Sequence, residues 1–247
     1  HFLEDVEEGR RRMLEGRFPE YIVKQFADML DYFGQSPIIV RSSSLLEDNF
    51  GNAFAGKYES IFCVNQGSRR ERLESFLEAL KRVYASTMSE EALVYRQQRG
   101  LLERDEQMAI LIQRVSGAPY GNYFYPQAAG VAFSFNPYVW SEYIDAEAGM
   151  LRLVFGLGTR AVDRTEDDYV RIVALNAPER RLESNIGDAR EFSQKNVDVL
   201  DFNSNELAAV SFEEVAGQSN GLPLDIFATE EQVTEGRRKT GGENRFN

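Results

Sequence analysis

The chain has 247 residues, of which 43% are apolar and 28% are charged, so it is long enough and apolar enough to bury a sizeable core. A formal net charge of −12 argues against a general nucleic-acid binder or a protein of anionic membrane surfaces. The single cysteine excludes an internal disulfide, and no apolar run approaches the ~20 residues of a membrane span. Because no signal peptide is visible either, we expect a cytoplasmic protein. The first residue, His1, suggests a piece of a longer chain.

The first half of the chain is predicted to be rich in helix. Apolar residues recur at helical spacing in four segments, and two short apolar runs predict strands. In chain order we expect helices at 2–15 and 18–34, strands at 36–41 and 59–64, and helices at 68–86 and 89–99.

The second half changes to strand patterns. Continuous or partly alternating apolar runs at 108–115, 127–137, 149–158 and 168–175 predict an antiparallel or mixed sheet. We therefore expect an α+β fold in which a helix-rich first lobe packs on a sheet-rich second lobe. The predicted domains are the first lobe at 1–105, the sheet-rich lobe at 106–202 and a weakly patterned tail at 203–247.

The segment "GLGTRA" (156–161) fits a loose dinucleotide fingerprint, because it follows a predicted strand. The fingerprint also needs a helix that runs back along a parallel sheet. Only six residues separate Ala161 from Asp168, where the next strand begins, whereas a parallel crossover takes about a dozen or more. A dinucleotide fold is therefore not expected, and no Gly-Lys-Ser/Thr is present for a Walker loop.

The segment "VRSSSLLEDNFGNAFAGKYESIF" (40–62) places one arginine, three serines and two glycines between two predicted strands. Glycines let main-chain N–H groups converge on an anion, because no Cβ blocks the approach. Arg41 adds forked donors suited to phosphate, and the serine hydroxyls add short ones. The alternative is a plain hairpin in which Arg41 pairs with Glu47 or Asp48. Spacing alone leaves both interpretations open.

Metal and thiol chemistry have weaker signals. Four acidic residues near 165 could ligate Mg²⁺, although a solvated acidic loop is the simpler interpretation. Cys63 lies in an apolar run, which is typical of a buried, unreactive thiol. The acidic residues are Asp163, Glu166, Asp167 and Asp168.

Four ordered motifs resemble the nucleotide-binding domain of phosphoenolpyruvate synthase and pyruvate phosphate dikinase. The first is "VRSSSLLEDNFGNAFAGKYESIFCV", with an arginine and serines leaving a strand and Phe-Ala-Gly before the next one. The others are "EALVYRQQRG", "ILIQRV" with "GVAFSFNP", and "VFGLGTRAVDRTEDDYV". Together they span residues 36–178.

The resemblance implies an ATP-grasp fold, in which ATP lies between two α+β lobes, with ATP and Mg²⁺ as cofactors. In the whole enzymes ATP phosphorylates a histidine on a separate domain, which carries the group to pyruvate. Nine residues acquire implied roles: Arg41, Ser42 and Ser43 at the phosphates, Ala55, Gly56 and Lys57 in the loop that covers them, and Gln113, Arg114 and Val115 along the adenine.

The sequence also departs from the family pattern. The N-terminal Gly-Gly-Lys segment is absent, and the acidic metal ligands and the Leu-Gln-x-Arg-Pro strand are not recognisable after residue 203. Thr159 stands where the family has the acid of Gly-Leu-Gly-Glu, and no phosphocarrier histidine is present. We expect the ATP-binding part of a dikinase-type phosphotransferase that does not complete phosphoryl transfer by itself. The alternatives are a catalytically inactive nucleotide-sensing module and the nucleotide domain of a carbohydrate dikinase.

Overall fold

The computed structural model describes residues 2–47, 56–162, 168–183, 186–218, 221–228, 230–232 and 244–246. The chain divides into two compact units: His1–Val115 with Ser204–Glu206, and Ser116–Asn203 with Leu207–Asn247. The three domains expected from the sequence, 1–105, 106–202 and 203–247, stay a prediction, because this division does not show which segments fold independently.

The first unit combines helices with a three-stranded sheet. Its elements are α1 Phe2–Glu15, α2 Glu20–Phe33, β1 Ile38–Ser44, β2 Ser60–Cys63, α3 Arg69–Ala85, α4 Glu90–Gln98 and β3 Met108–Arg114. The sheet order is β2-β1-β3, and β1 is antiparallel to both neighbours.

Local sequence signals explain where these helices begin and end. Ser68 and Glu71 form a capping box in which each side chain accepts a hydrogen bond from the other residue's backbone N–H, and α3 begins there. α2 ends at Gly34, whose φ of 62° favours glycine. The predicted helices are confirmed to within about two residues, but β1 continues to Ser44 instead of ending at Arg41. The extension arises because β3 pairs with β1 along its whole length.

One face of this sheet packs on helices and forms the core of the first unit. Ile38 and Val40 of β1 are fully buried, and their cluster includes side chains from α2 and α3. Those helical residues are Leu30, Phe76, Ala79, Leu80 and Val83. The alternation of buried and exposed residues along β1 therefore separates a helix-covered face from an exposed one.

The second unit contains most of the remaining strands. Its elements are β4 Ala118–Tyr120, β5 Tyr123–Tyr125, β6 Ala129–Phe133, β7 Met150–Val154, α5 Thr159–Val162, β8 Arg171–Ala174, α6 Ile186–Glu191, β9 Asn196–Asp201, β10 Glu206–Ser211, α7 Phe212–Gln218, α8 Leu224–Phe227, β11 Glu230–Gln232 and β12 Asn244–Phe246.

These strands form a four-stranded sheet, β10-β9-β5-β4, a three-stranded sheet, β6-β7-β8, and a two-stranded ribbon, β11-β12. β6 and β8 are both antiparallel to β7. The core of the unit contains Tyr125, Phe155, Val197 and Val199. Helices and antiparallel sheets together confirm the predicted α+β class, whereas the ATP-grasp arrangement of the lobes remains a prediction.

Candidate functional site

The register of the first sheet brings three of the expected site residues to one face. Arg41 lies opposite Leu111 on β3, and Gln113 lies opposite Ile39 on β1. Because directly paired residues of an antiparallel sheet share a face, Arg41, Ser43, Leu111 and Gln113 point away from the helix-covered core. All four are exposed, and we call them the open face.

Arg41 does not pair with Glu47, one of the two partners expected for a plain hairpin. The carboxylate of Glu47 accepts a hydrogen bond from Ser42 Oγ at 2.7 Å and another from the Ser44 backbone N–H at 2.9 Å. Among the described residues no carboxylate forms an ion pair with Arg41. The pairing with Glu47 that a plain hairpin would use is therefore wrong, while Asp48 lies outside the described residues.

The serines of β1 have different surroundings. Ser42 lies on the opposite face from Arg41 and its hydroxyl donates to Glu47. Ser44 is buried, and its hydroxyl accepts from the Glu47 N–H at 3.2 Å. Ser43 lies on the open face beside Arg41. Ser43, and not Ser42, therefore lies on the face of the sheet that carries the Arg41 guanidinium.

The expected phosphate-covering turn is described from Gly56 onward, and Ala55 lies outside the described residues. Gly56 has φ 75°, and no atom lies within 4 Å of the place where a Cβ would be. Glycine is therefore required at position 56 by the backbone conformation rather than by crowding. Lys57 Nζ lies 2.6 Å from Glu91 Oε1 on α4 and 5.7 Å from the centre of the Tyr95 ring. Lys57 and Tyr95 line a cavity of about 480 Å³ along α4.

The expected adenine strand is an edge strand of the described sheet. β3 pairs with β1 on one side, and no described strand pairs with its other edge. Gln113 points to the open face, whereas the Arg114 guanidinium lies 5.6 Å from the Tyr32 ring centre and 5.5 Å from that of Phe33. The Val115 N–H donates to Pro37 O at 2.9 Å. The Gln113 side chain is thus available to contact a ligand, whereas the Arg114 side chain packs against α2.

The glycine turn after β7 is locked to β9. Gly156 has φ 92°, and a Cβ there would lie 2.4 Å from Val197 Cγ1. Leu157 N–H donates to Asp198 O at 2.9 Å, and Thr159 Oγ1 donates to Asp198 Oδ2 at 2.5 Å. α5 spans a single turn and β7 and β8 are antiparallel, so the rejection of a dinucleotide fold is confirmed.

A buried ion network follows this turn. Arg160 is 7% exposed, and its Nε lies 2.7 Å from Asp198 Oδ1 while its Nη1 lies 3.3 Å from Asp168 Oδ2. Asp168 also accepts the backbone N–H of Lys195 at 2.7 Å and of Asn196 at 2.8 Å. For Asp168, both the metal-ligand and the solvated-loop interpretations are wrong, because its carboxylate is buried and occupied by these donors.

The described residues contain neither a metal-binding cluster nor an exposed thiol. The remaining acidic residues of that loop, Asp163, Glu166 and Asp167, lie outside the described residues. Within the described ranges there is no group of three His, Cys, Asp or Glu residues that could hold a metal ion. Cys63 is buried, and burial raises the pKa of its thiol to about 11. The expected burial of the thiol is confirmed, whereas its low reactivity stays a prediction.

Sequence reasoning missed the partners that hold the expected site residues. Glu47, Glu91 and Asp198 each fix a segment singled out by motif, and Glu106 hydrogen-bonds to Tyr58 Oη at 2.9 Å next to the Gly56 turn. The pairings themselves could not be predicted from the motifs, because Glu91, Asp198 and Glu106 reach their partners over separations of 34 to 48 residues.

Comparison with known proteins gives the family. Residues 2–217 match the family model described as the pyruvate phosphate dikinase AMP/ATP-binding domain. The chain belongs to this family. The dikinase AMP/ATP-binding domain match covers most of the chain and includes both the open face and the glycine turn after β7.

Two curated relatives of this dikinase-type domain are rifampicin phosphotransferases. The protein of Bacillus subtilis (strain 168) is 26% identical over 155 residues, which cover 62% of this chain and 16% of that protein. The protein of Bacillus cereus (strain ATCC 14579) is 26% identical over 166 residues, which cover 65% of this chain and 18% of that protein. The aligned region thus spans less than a fifth of either relative. No described helix is both long enough and apolar enough to cross a lipid bilayer.

Proposed function

We propose that this chain is the ATP-binding domain of a phosphoenolpyruvate synthase or dikinase-type phosphotransferase, in which a phosphoryl group passes from ATP to a histidine on a separate domain. The family match supports nucleotide binding. The observation that carries the assignment to particular residues is the exposed guanidinium of Arg41. It lies on the open face beside Ser43, with no carboxylate partner among the described residues.

The physical basis is the complementarity between a guanidinium and a phosphate group. A guanidinium presents forked N–H groups that match phosphate oxygens bidentately, and its charge persists at every physiological pH. The Glu47 carboxylate, one of the two partners that a plain hairpin would use, accepts from Ser42 and Ser44 instead. Arg41 is therefore available to an anionic ligand in a way that a paired surface arginine is not.

The remainder of the nucleotide would extend along β3. Gln113 shares the open face with Arg41, and one edge of β3 has no described strand partner, so its main-chain groups can donate to and accept from a purine edge. The described residues thus fit ATP. Mg²⁺ would be bound through the phosphate oxygens of the nucleotide.

A catalytically inactive nucleotide-sensing domain is the second candidate. The residue at the acid position of the Gly-Leu-Gly motif is Thr159, and its hydroxyl is committed to Asp198. Lys57 is similarly committed to Glu91. Both observations favour a domain that binds the nucleotide without promoting transfer. A carbohydrate dikinase would use the same nucleotide domain, so the phosphoryl acceptor is left open by this site.

Calorimetric titration of Mg-ATP into this chain tests the nucleotide site. Arg41→Ala is expected to weaken binding by about 10- to 100-fold, since one charge-assisted hydrogen-bond set is lost. Arg70→Ala is the matched control, because Arg70 is an exposed arginine paired only with Glu74 on α3 in the described structure. Equal affinities for Arg41→Ala and the unsubstituted chain would remove Arg41 from the site.

Phosphoryl transfer needs a separate experiment with the complete protein. Incubation with phosphate-labelled Mg-ATP is expected to give an acid-labile, base-stable phosphohistidine if the protein is a phosphotransferase. Binding of Mg-ATP without any such label would support the sensing domain instead.

A further inference from the structure

Tyr58 and Glu106 form a hydrogen bond beside the predicted phosphate turn. Tyr58 Oη donates to Glu106 Oε2 at 2.9 Å. Tyr58 lies two residues after Gly56, and Glu106 lies two residues before β3 begins. Neither residue belongs to the nine that sequence motifs point to.

The topology places this contact at the end of the sheet that carries Arg41. β2 and β3 both run antiparallel to β1, so both begin beside the C-terminal half of β1. Ser60 at the start of β2 pairs with Arg41, and Met108 at the start of β3 pairs with Ser44. The hydrogen bond thus joins the starts of the two outer strands across the last residues of β1.

Burial makes the contact specific. Tyr58 is 6% exposed and belongs to an apolar cluster with Leu46, Ala92 and Leu101. Burial first, and the hydrogen bond to Glu106 second, raise the pKa of Tyr58, so its hydroxyl stays a donor at every physiological pH. The other oxygen of Glu106, Oε1, is buried and has no hydrogen-bond partner in the described structure. Loss of the Tyr58 donor would leave this carboxylate poorly satisfied.

Arg96 holds the chain that leads to Glu106. It is 7% exposed, and its Nη2 donates to the carbonyl of Arg104 at 2.7 Å and to that of Leu102 at 3.4 Å. These hydrogen bonds hold the segment before β3 on α4. They therefore fix the backbone that leads to Glu106, the partner of Tyr58.

We infer that Tyr58 and Glu106 are positioning residues for the nucleotide site: their hydrogen bond holds the Gly56 turn against the start of β3, so that the turn, Arg41 and Gln113 keep a fixed spacing. The inference rests on the proposed function, because it concerns the same nucleotide. Neither side chain touches the ligand in this scheme. They act by keeping the backbone around the site in one arrangement before the nucleotide arrives.

Calorimetric titration of Mg-ATP into variants of this chain tests the inference. Tyr58→Phe keeps the ring and removes the donor, and Glu106→Leu removes the acceptor. Each is expected to raise Kd about five- to tenfold. The double variant is expected to bind Mg-ATP no more weakly than either single variant, because both substitutions break the same hydrogen bond. Glu106→Gln keeps an acceptor oxygen for Tyr58 and is expected to stay within about twofold of the unsubstituted chain.

The matched control is Tyr123→Phe, which removes a hydrogen bond of the same chemistry, from Tyr123 to Glu214, in the second unit. It is expected to leave Kd within about twofold of that of the unsubstituted chain, because Tyr123 belongs to neither the open face nor the Gly56 turn. Circular dichroism at the titration temperature confirms that each variant is folded. If Tyr58→Phe does not fold, the comparison of Glu106→Leu with Glu106→Gln decides.

An unchanged Kd in folded Tyr58→Phe and Glu106→Leu, with Arg41→Ala weakened, overturns the positioning role and leaves the proposed function intact. A Glu106→Gln variant as weak as Glu106→Leu also overturns it, since the acceptor oxygen would then not matter. Absence of binding by the unsubstituted chain overturns both proposals.

Discussion

Replacement of Gly156 by alanine is expected to destabilise the second unit by about 2–6 kcal/mol. The residue has φ 92°, a conformation that costs an L-residue about 1–3 kcal/mol. The new Cβ would also lie 2.4 Å from Val197 Cγ1 and 2.9 Å from Asp198 O, and overpacking of this kind costs about 1–3 kcal/mol. Because Asp198 O is a backbone atom, it can move away from the new Cβ less easily than a side-chain atom could.

Two further glycines separate the two contributions. Gly56 has φ 75° with no atom within 4 Å of the position that an alanine methyl would take, so Gly56→Ala should show only the conformational cost of about 1–3 kcal/mol. Gly217 lies in α7 with the same open surroundings and no positive φ. Gly217→Ala is therefore expected to be neutral or to stabilise by about 0.5–1 kcal/mol.

Urea unfolding followed by circular dichroism gives the free energy of unfolding for each variant by linear extrapolation. A Gly156→Ala variant no less stable than Gly56→Ala would refute the crowding argument. The Val197→Ala substitution removes the atom closest to the new Cβ. Gly156→Ala is therefore expected to lower the free energy of unfolding less in a Val197→Ala background than in the unsubstituted chain.

Two other predictions concern buried polar groups. Arg160→Met is expected to destabilise the chain by about 3–5 kcal/mol, because Asp168 and Asp198 would lose their shared cation. Urea unfolding measures this loss, and Arg171→Met, at an exposed arginine, is the control. A loss below about 1 kcal/mol would contradict the buried network. The Cys63 thiol, with its pKa raised to about 11, is expected to resist a thiol reagent at pH 8 in the native chain and to react once urea unfolds it. Equal rates in both states would show that the thiol is accessible.

The sequence indicated the local elements of the first unit well. The Ser68 capping box and the stop at Gly34 act within a few residues, and the apolar spacing of each helix is set by its own 3.6-residue period. The helix bounds could therefore be predicted from the chain itself. β4 and β5 were not predicted, because strands of three residues are too short to show a period.

Much less of the candidate site could be predicted. Motifs singled out Arg41 and Gln113, but only the β1–β3 register shows that their side chains share one exposed face. The partners of neighbouring residues were equally invisible, as Glu91 for Lys57 and Asp198 for Arg160 show.

The amino-acid sequence by itself thus determined the α+β class, the helices of the first unit and the family motifs, because these depend on interactions between residues close in the chain. Tertiary structure decided which face of β1 carries the guanidinium and which acids hold the glycine turns. Those outcomes depend on strand register and on contacts between residues that lie 34 to 48 positions apart or are paired across a sheet, and no local pattern encodes such pairings.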